Sequence, residues 1–207
     1  MSQTKTHADA SAPKRRRADA ERSISSIVNA ALDALASDPD VSMAEIARRA
    51  GVVRATIYMH FPTREALLDV VMEHATTQVA DATRAAEPDR GEPREALERV
   101  LRATWHQLSQ FHGVLGINIK RLPAKELRRR HLPVTSQFIP LLERGQAEGV
   151  FRSDVSAEWL IATVRAIVHV ASLELQAGRL SERDAERTML TTAIAAVSPP
   201  PGEQCPP

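Results

Sequence analysis

Residues 42–68, SMAEIARRAGVVRATIYMHFPTREALL, decide the fold of this chain. They read as two short helices joined by a tight turn, followed by the start of a longer helix. Ser42 opens the first short helix, and Glu45 three residues later completes the pattern of a capping box, in which each side chain satisfies the other residue's backbone N–H. Gly51 supplies the positive φ that a sharp turn between helices needs. The pattern predicts a unit made of a helix, a glycine turn and a second helix.

The second short helix is predicted over residues 52–59, and Pro62 forbids its continuation. Phe61 precedes that proline and is predicted to be extended. Thr63 is placed to cap the next helix. Two short helices around a glycine turn are typical of the helix-turn-helix motif, whose second helix enters the major groove of DNA. The spacing alone also fits an ordinary corner between two packed helices.

The full string is more specific than its spacing, and it resembles the DNA-binding signature of the TetR-type bacterial repressors. The resemblance is carried by the small apolar residues of the first helix, by AGV at 50–52 and by TIYMHFPTREALL at 56–68, and it covers about residues 20–75. It implies an all-α protein with an N-terminal three-helix helix-turn-helix domain. It also implies a C-terminal helical domain that binds a ligand and forms the dimer.

Apolar periodicity along the whole chain predicts about nine helices and no strand. Residues 1–18 are predicted to be a disordered arm whose basic block, 14–17, is either solvated or reaches DNA beside the motif. Residues 19–66 form the predicted DNA-binding domain, residues 67–197 the effector-binding and dimerisation domain, and residues 198–207 a disordered proline-rich tail. The predicted core of the first domain consists of Ile27, Val28, Ala31, Leu35, Ile46, Ala47, Ile57, Phe61 and Leu67.

Three features of the second domain lead to more detailed predictions. A short apolar helix is predicted over residues 114–121. The basic run 123–131 is predicted to be an exposed turn of helix or loop, and Pro133 is predicted to open a new helix after it.

Composition excludes several classes of protein. The chain has 207 residues, a net charge of +1 and a single cysteine, Cys205, so disulfides within the chain and cysteine metal sites are not expected. It has no apolar run long enough to span a membrane and no secretory signal, which predicts a cytoplasmic protein without a membrane partner. The seven histidines form no metal-binding pair, and no catalytic motif occurs, so neither an enzyme, a metal site nor a cofactor is expected.

Eight residues around the turn are candidates for contact with double-stranded DNA. They are Ser42, Val53, Arg54, Ala55, Thr56, Tyr58, His60 and Arg64. Arg54 is the candidate base reader, because arginine makes a bidentate contact to guanine O6 and N7. Its alternative is a solvated surface arginine. Ala55 and the Thr56 methyl group could lie against a thymine methyl, although Thr56 could also touch the DNA backbone.

Four of the remaining candidates are predicted to contact phosphate, namely Ser42, Tyr58, His60 and Arg64. The fifth is Val53. Tyr58 and His60 fall on the outer side of the second short helix, and the alternative for Tyr58 is packing on the first helix. Ser42 and Arg64 lie at helix N-termini, which bind anions, and the resemblance implies the same role. Val53 departs from the family, which commonly has Ser or Thr there. Valine cannot cap a helix, and loss of a cap costs about 1 kcal/mol.

A small-molecule pocket is predicted in the C-terminal half from aromatic residues interspersed with polar ones. Its candidates are Trp105, His106, Phe111, Asn118, Phe138, Trp159 and His169. For the aromatic residues the alternative is ordinary core packing, and for His169 it is a buried histidine with satisfied hydrogen bonds. The resemblance implies a pocket without identifying its ligand.

The last two predicted helices, 156–177 and 181–197, carry more apolar surface than one core needs. A helix that is apolar over a broad arc is either deeply buried or part of an interface. These helices therefore predict a homodimer through a four-helix bundle.

Together these features predict a sequence-specific transcriptional regulator, a ligand-responsive repressor that binds a palindromic operator as a dimer. The alternatives are a helical ligand-binding or protein-interaction module without DNA reading, and a DNA-binding protein without sequence preference.

Overall fold

The computed structural model describes residues 11–111, 117 and 121–200, and side chains from residue 18 onward within those ranges. This part of the chain contains eight helices and no strand, so the all-α prediction is confirmed. The helices are α1 (Ser11–Ser37), α2 (Met43–Arg49), α3 (Arg54–His60), α4 (Arg64–Ala85), α5 (Pro93–Ser109), α6 (Ala124–Ala147), α7 (Ala157–Gln176) and α8 (Glu182–Val197). None of these described helices combines the length and the apolar character that a membrane span requires.

The chain divides into two compact units, Met1–Val71 and Met72–Pro207. Helix α4 contributes residues to both, and the division falls inside it rather than after residue 66. Helix α1 begins at Ser11, where the sequence predicted Asp19, so the backbone of the basic block 14–17 is helical. Residues 1–10 and 201–207 of the predicted arm and tail lie outside the described residues.

The N-terminal unit is built around one small apolar core. Helix α1 presents Ile27, Ala31 and Leu35 on a single stripe, and these side chains are fully buried. Ile57 is the buried residue of α3, and Leu67 and Val71 close the core from α4. All nine residues predicted for this core are buried, so that prediction is confirmed.

The C-terminal unit packs α5, α6, α7 and α8 around a second and larger core. Helices α7 and α8 pack on each other more extensively than any other pair of described helices. Serine side chains cap both N-termini, since Ser156 Oγ accepts from Trp159 N–H at 3.3 Å and Ser181 Oγ accepts from Asp184 N–H at 3.1 Å.

Helix α6 corrects one prediction. It is continuous from Ala124 to Ala147 and contains both Pro133 and Pro140, so the basic run is helical and Pro133 does not open a new helix. An internal proline removes one backbone hydrogen bond. Gln137 ties this region to α4, because its side-chain amide donates to the carbonyl oxygens of Ala80 at 3.0 Å and Pro133 at 2.8 Å. The helix predicted over 114–121 lies outside the described residues apart from its positions 117 and 121.

The turn after α6 depends on a close contact with an aromatic ring. A Cβ atom added to Gly145 would lie 2.0 Å from Cδ2 of Phe151. The Gly145 carbonyl also accepts from the N–H groups of Val150 at 2.8 Å and Phe151 at 3.0 Å. Gly145 therefore allows the turn to fold back and bury the Phe151 ring.

Candidate nucleic-acid interface and ligand cavity

The turn between α2 and α3 has the geometry that the sequence predicts. Gly51 has φ +70°, and nothing lies within 4 Å of an added Cβ, so the backbone conformation is what requires glycine there. Its N–H donates to Arg48 O at 3.2 Å, and Val52 N–H donates to Ala47 O at 3.0 Å. This pair of bonds is a Schellman motif, which ends α2 and sets the direction of α3.

Only half of the predicted capping box forms at the start of α2. Ser42 Oγ accepts from Glu45 N–H at 3.2 Å, as predicted. The Glu45 carboxylate does not return to Ser42, because it accepts instead from Arg48 Nε at 2.7 Å and Arg49 Nε at 2.9 Å. These two guanidinium groups lower the pKa of Glu45 to about 2. Each arginine is therefore paired with a carboxylate of its own helix.

Helix α3 turns Ile57 into the core and leaves the opposite face open to solvent. Arg54, Ala55 and Tyr58 are exposed, whereas Thr56 and His60 are half-buried. The Arg54 guanidinium lies over the Tyr58 ring, 5.5 Å from its centroid, in a cation–π contact. Tyr58 therefore lies beside the candidate base reader on the exposed face rather than in the core of the unit.

Two apolar side chains widen this exposed face. Val53 is 68% exposed, and it occupies the N-cap position of α3 without a side-chain hydrogen bond, as its chemistry predicts. Met59 is 69% exposed and was not among the predicted site residues. The available signal was its helical spacing, since Met59 follows Ala55 by four positions on one side of α3.

Arg64 is directed into its own unit. Its guanidinium donates to the carbonyl oxygens of Val41 and Pro39, the second at 2.7 Å. These carbonyls belong to the loop before the Ser42 cap of α2. Thr63 Oγ1 accepts from Ala66 N–H at 3.1 Å, which caps α4 as predicted. The arginine assigned to phosphate thus holds the loop that leads into the first helix of the motif.

The C-terminal unit contains a cavity of about 300 Å³. Its wall is formed by α4, α5, α6 and α7, with Phe111 following α5, and is mostly apolar. The lining residues are Met72, Ala75, Thr76, Val79, Leu101, Thr104, Leu108, Phe111, Leu127, His131, Val134, Thr135, Phe138, Ile161, Val164, Arg165, Ala166, Val168 and His169. The volume lies at the lower end of the range for small-molecule pockets.

Three of the seven residues predicted for a pocket line this cavity, namely Phe111, Phe138 and His169. Trp105 is buried in the core, and its indole N–H has no acceptor in the described part of the chain. His106 is exposed on the next position of α5, and Trp159 is 65% exposed on α7, so both point away from the cavity. Asn118 lies outside the described residues.

Sequence reasoning missed His131 and Arg165 as lining residues. Helix α6 places Leu127, His131 and Phe138 at helical spacing on the cavity side, a stripe that was obscured by treating Pro133 as a helix start. Burial, together with the positive charge of Arg165 and the neighbouring His169, lowers the pKa of His131 to about 4. Burial and Arg165 also lower the pKa of His169. Burial and the nearby positive charge therefore disfavour the protonated form of both imidazoles.

A second concave surface lies on the outer side of α7 and α8. It is a groove of about 310 Å³ lined by Thr163, Ala166, Ile167, Val170, Ala171, Glu174, Leu180, Thr188, Met189 and Thr192. Val170 is 56% exposed and Leu173 is 40% exposed on the same helix. Ala166 borders both this groove and the cavity. Among the residues that the structure describes, no group of three or more acidic, histidine or cysteine side chains could hold a metal ion.

Comparison with known proteins agrees with this architecture. Residues 27–71 match the model of the bacterial regulatory proteins of the tetR family, and residues 93–192 match the tetracyclin repressor-like C-terminal domain. The HTH-type transcriptional regulator NfxB of Pseudomonas aeruginosa is 28% identical over 133 residues, which are 63% of this chain and 71% of that protein. The repressor LfrR of Mycolicibacterium smegmatis is 35% identical over 81 residues, 39% of this chain and 43% of that protein.

Solved structures give the same fold. The structure of LfrR from Mycobacterium smegmatis in complex with proflavine superimposes with a TM-score of 0.70 at 22% identity, covering 86% of this chain and 97% of that chain. The two family models together span the helix-turn-helix unit and most of the cavity-bearing unit. This chain belongs to the TetR family of bacterial DNA-binding transcriptional regulators.

Proposed function

We propose that this regulator is a ligand-responsive repressor that binds a palindromic operator as a homodimer. The observation that carries the proposal is the solvent-exposed face of α3, with Arg54 held over Tyr58 directly after the Schellman turn. A second helix of a helix-turn-helix motif whose outer face is open to solvent can enter the major groove of DNA. The family is one of DNA-binding regulators, so no catalytic role is assigned, and the proposed site of action is the cytoplasm.

Seven of the eight candidate residues take a proposed role from their chemistry. Arg54 reads guanine, and the methyl-bearing side chains of Val53, Ala55 and Thr56 meet thymine methyl groups. Tyr58 and His60 donate to phosphate. Ser42 joins them, because its hydroxyl oxygen accepts the cap hydrogen bond while its own hydrogen stays available. Phosphate contacts of this kind set the register of the protein on DNA and carry no sequence information.

The outer face of α7 and α8 is the proposed dimer interface. Trp159, Val170 and Leu173 are large apolar side chains that stay exposed in one chain. Pairing this face with a second copy across a two-fold axis would cover them and build a four-helix bundle. A two-fold dimer presents two α3 helices, which matches a palindromic site.

Helix α4 is the proposed link between effector and operator. Leu67 and Leu68 on this helix belong to the core of the N-terminal unit, whereas Met72 and Val79 line the cavity. A ligand that prefers one position of α4 shifts the population of the state that binds DNA. NfxB and LfrR are described as transcriptional regulators of the same type, and LfrR has a structure with proflavine bound.

Selection from a random duplex pool tests the DNA-binding part of the proposal. The selected duplex and a shuffled duplex of equal composition are then titrated by fluorescence anisotropy over a range of salt concentrations. We expect two chains per duplex, inverted half-sites, and a preference for the selected duplex of at least about a thousandfold. Equal affinity for both duplexes would refute sequence-specific regulation, and a non-palindromic site bound by one chain would refute the dimer mode.

A pair of matched variants tests the interface. Val170→Asp places a charge on the outer face of α7, and Leu132→Asp places one on α6, where Leu132 is likewise an exposed apolar residue. We expect Val170→Asp to shift sedimentation toward the monomer and to weaken operator binding, while Leu132→Asp changes neither. If the two variants sediment alike, the α7–α8 face is not the interface.

A further inference from the structure

The cavity wall contains two polar atoms that lack a partner. Nδ1 of His131 and Nδ1 of His169 are buried and make no hydrogen bond within the described part of the chain. Buried polar atoms in folded proteins are almost always paired, and each exception needs an explanation. Both residues line the same cavity, and His131 interacts electrostatically with His169. A ligand that offers a hydrogen-bonding group to both imidazoles would complete this wall.

The charge of the cavity wall indicates which charge the hydrogen-bonding group of the ligand should carry. Arg165 is the one charged residue among the described lining residues, and it lies near enough to both histidines to affect their pKa values. Arg165 is in none of the ion pairs between described residues. The faces that α4 and α5 turn to the cavity carry no titratable side chain, so His131, Arg165 and His169 are the titratable groups facing it. A cation would meet Arg165 without a compensating acid, whereas an anion would gain a charge-assisted pair.

The other residues of the cavity wall limit the size and polarity of the rest of the ligand. Residues from four helices provide aliphatic and aromatic surface, and the volume of about 300 Å³ equals roughly ten water molecules. This space suits one short chain or ring and excludes a bulky polar cofactor. Arg165 is exposed as well as lining the cavity, so it marks the side from which the cavity can be reached.

We infer that the cavity binds a small amphipathic carboxylic acid, whose carboxylate lies between the Arg165 guanidinium and the imidazoles of His131 and His169. The apolar part of the acid fills the space between α4, α5 and α6. This inference rests on the proposed role of the cavity as the effector site. It adds the chemical class of the effector, which the general architecture does not determine.

Proton uptake should accompany binding. Burial and the charge of Arg165 keep the pKa of His131 low. A bound carboxylate offsets that charge and accepts a hydrogen bond from a protonated ring, so it raises the pKa of the imidazoles. Binding at pH 6 should therefore take up protons from the buffer, and affinity should fall as pH rises from 6 to 8.

Matched probes test the class of ligand. The full-length protein is titrated by calorimetry with octanoate, octan-1-ol and octylamine, and with 4-phenylbutanoate and its alcohol and amine. We expect each acid to bind at least tenfold more tightly than its alcohol, and the amines to bind most weakly. Failure of both acids to bind, or an alcohol or amine binding as tightly as its acid, would overturn the inference.

Two arginine variants test the site. Arg165→Gln should weaken the acids by about tenfold to a hundredfold, the range for one hydrogen bond to a charged group, and leave the alcohols unchanged. Arg128→Gln is the control, since Arg128 is an exposed arginine of α6 that does not line the cavity. Calorimetry in two buffers of different ionisation enthalpy reports proton uptake, which His131→Gln should reduce. Equal effects of the two arginine variants, or unchanged uptake in His131→Gln, would contradict the assigned contacts.

Operator titrations on the same preparations separate this inference from the proposed function. Specific operator binding without acid binding overturns the ligand class and leaves the repressor proposal standing. Loss of discrimination between operator and shuffled duplex refutes the repressor proposal, whatever the acids do.

Discussion

Replacing Arg64 by alanine should destabilise the N-terminal unit, and the structure sets the size of the effect. Its guanidinium donates to the carbonyl oxygens of Pro39 and Val41 across the loop before α2. A hydrogen bond to a charged group contributes about 1.5–3 kcal/mol when it is buried. Arg64 is half-buried and the bond to Pro39 is exposed, so we expect a total loss of about 2 kcal/mol.

Thermal unfolding followed by circular dichroism measures this loss. For a chain of this size, 2 kcal/mol corresponds to a fall in Tm of about 4–8 °C. Protein concentration is held constant, because self-association shifts apparent stability. Arg64→Lys is the informative companion, since lysine keeps the charge but cannot span two carbonyls with a planar fork. It should recover little of the lost stability.

The same variants distinguish loop support from phosphate contact. If Arg64 acts by holding the loop, Arg64→Lys should behave like Arg64→Ala in unfolding, and both should keep the salt dependence of operator binding close to that of the parent. The reasoning is refuted if Arg64→Ala unfolds at the parent's Tm yet binds every duplex more weakly with a shallower salt slope. That result would support the phosphate role predicted for Arg64 from its place at a helix N-terminus and from the resemblance.

Three further predictions concern reading, packing and pH. Arg54→Ala should relax base preference at one position of each half-site by about 1–3 kcal/mol in titrations of operator variants, while Tyr58→Phe, which keeps the ring under the guanidinium, should weaken all duplexes alike. A base-specific loss in Tyr58→Phe would contradict these roles. Gly145→Ala should cost about 1–3 kcal/mol in urea unfolding, because its Cβ would lie 2.0 Å from the Phe151 ring. Phe151→Leu should offset part of that cost in the double variant, whereas strict additivity would refute the clash. The pKa of His131 is about 4 in the folded chain against 6.5 for a free histidine, so the unfolded state takes up protons first as pH falls. Stability present above pH 6.5 should decrease by about 3 kcal/mol down to pH 4, and His131→Gln should flatten that slope. An unchanged slope would show that another group titrates.

Features with a local physical cause were predictable from the sequence. Gly51 has the positive φ that its turn requires, and the apolar stripe of α1 forms the predicted core. The hydroxyls of Ser42 and Thr63 cap α2 and α4, because a cap is satisfied within three residues of its own position. Each of these features depends on the residues of a single helix or turn, so few other local structures compete with it.

Features that depend on competition between partners were not predictable. Glu45 could return to Ser42 or bind arginines on the next turn, and the arginines win because two charged donors outweigh one backbone N–H. Arg64 donates to the carbonyl oxygens of a loop that lies more than twenty positions earlier in the chain. No local pattern identifies such a partner.

The residues that line the cavity were also only partly predictable from the sequence. Trp159 and His106 were selected by residue type, whereas helical phase directs them outward. His131 and Arg165 have the right phase, but their position relative to the cavity depends on how α6 and α7 pack. The pocket in this half of the chain could be predicted, but only part of its wall could.

The position of Ala166 has a consequence for how the protein responds to its own abundance. One side of this residue faces the cavity and the other faces the groove on α7 and α8, so a single helical turn separates the two surfaces. If a ligand occupies the cavity and a second copy of the chain occupies the groove, as proposed, a displacement of that turn by either would change the affinity for the other, and thermodynamic linkage makes the effect reciprocal. Sensitivity to the small molecule would then vary with the number of copies in the cell. A scarce regulator and an abundant one would respond at different doses of the same signal.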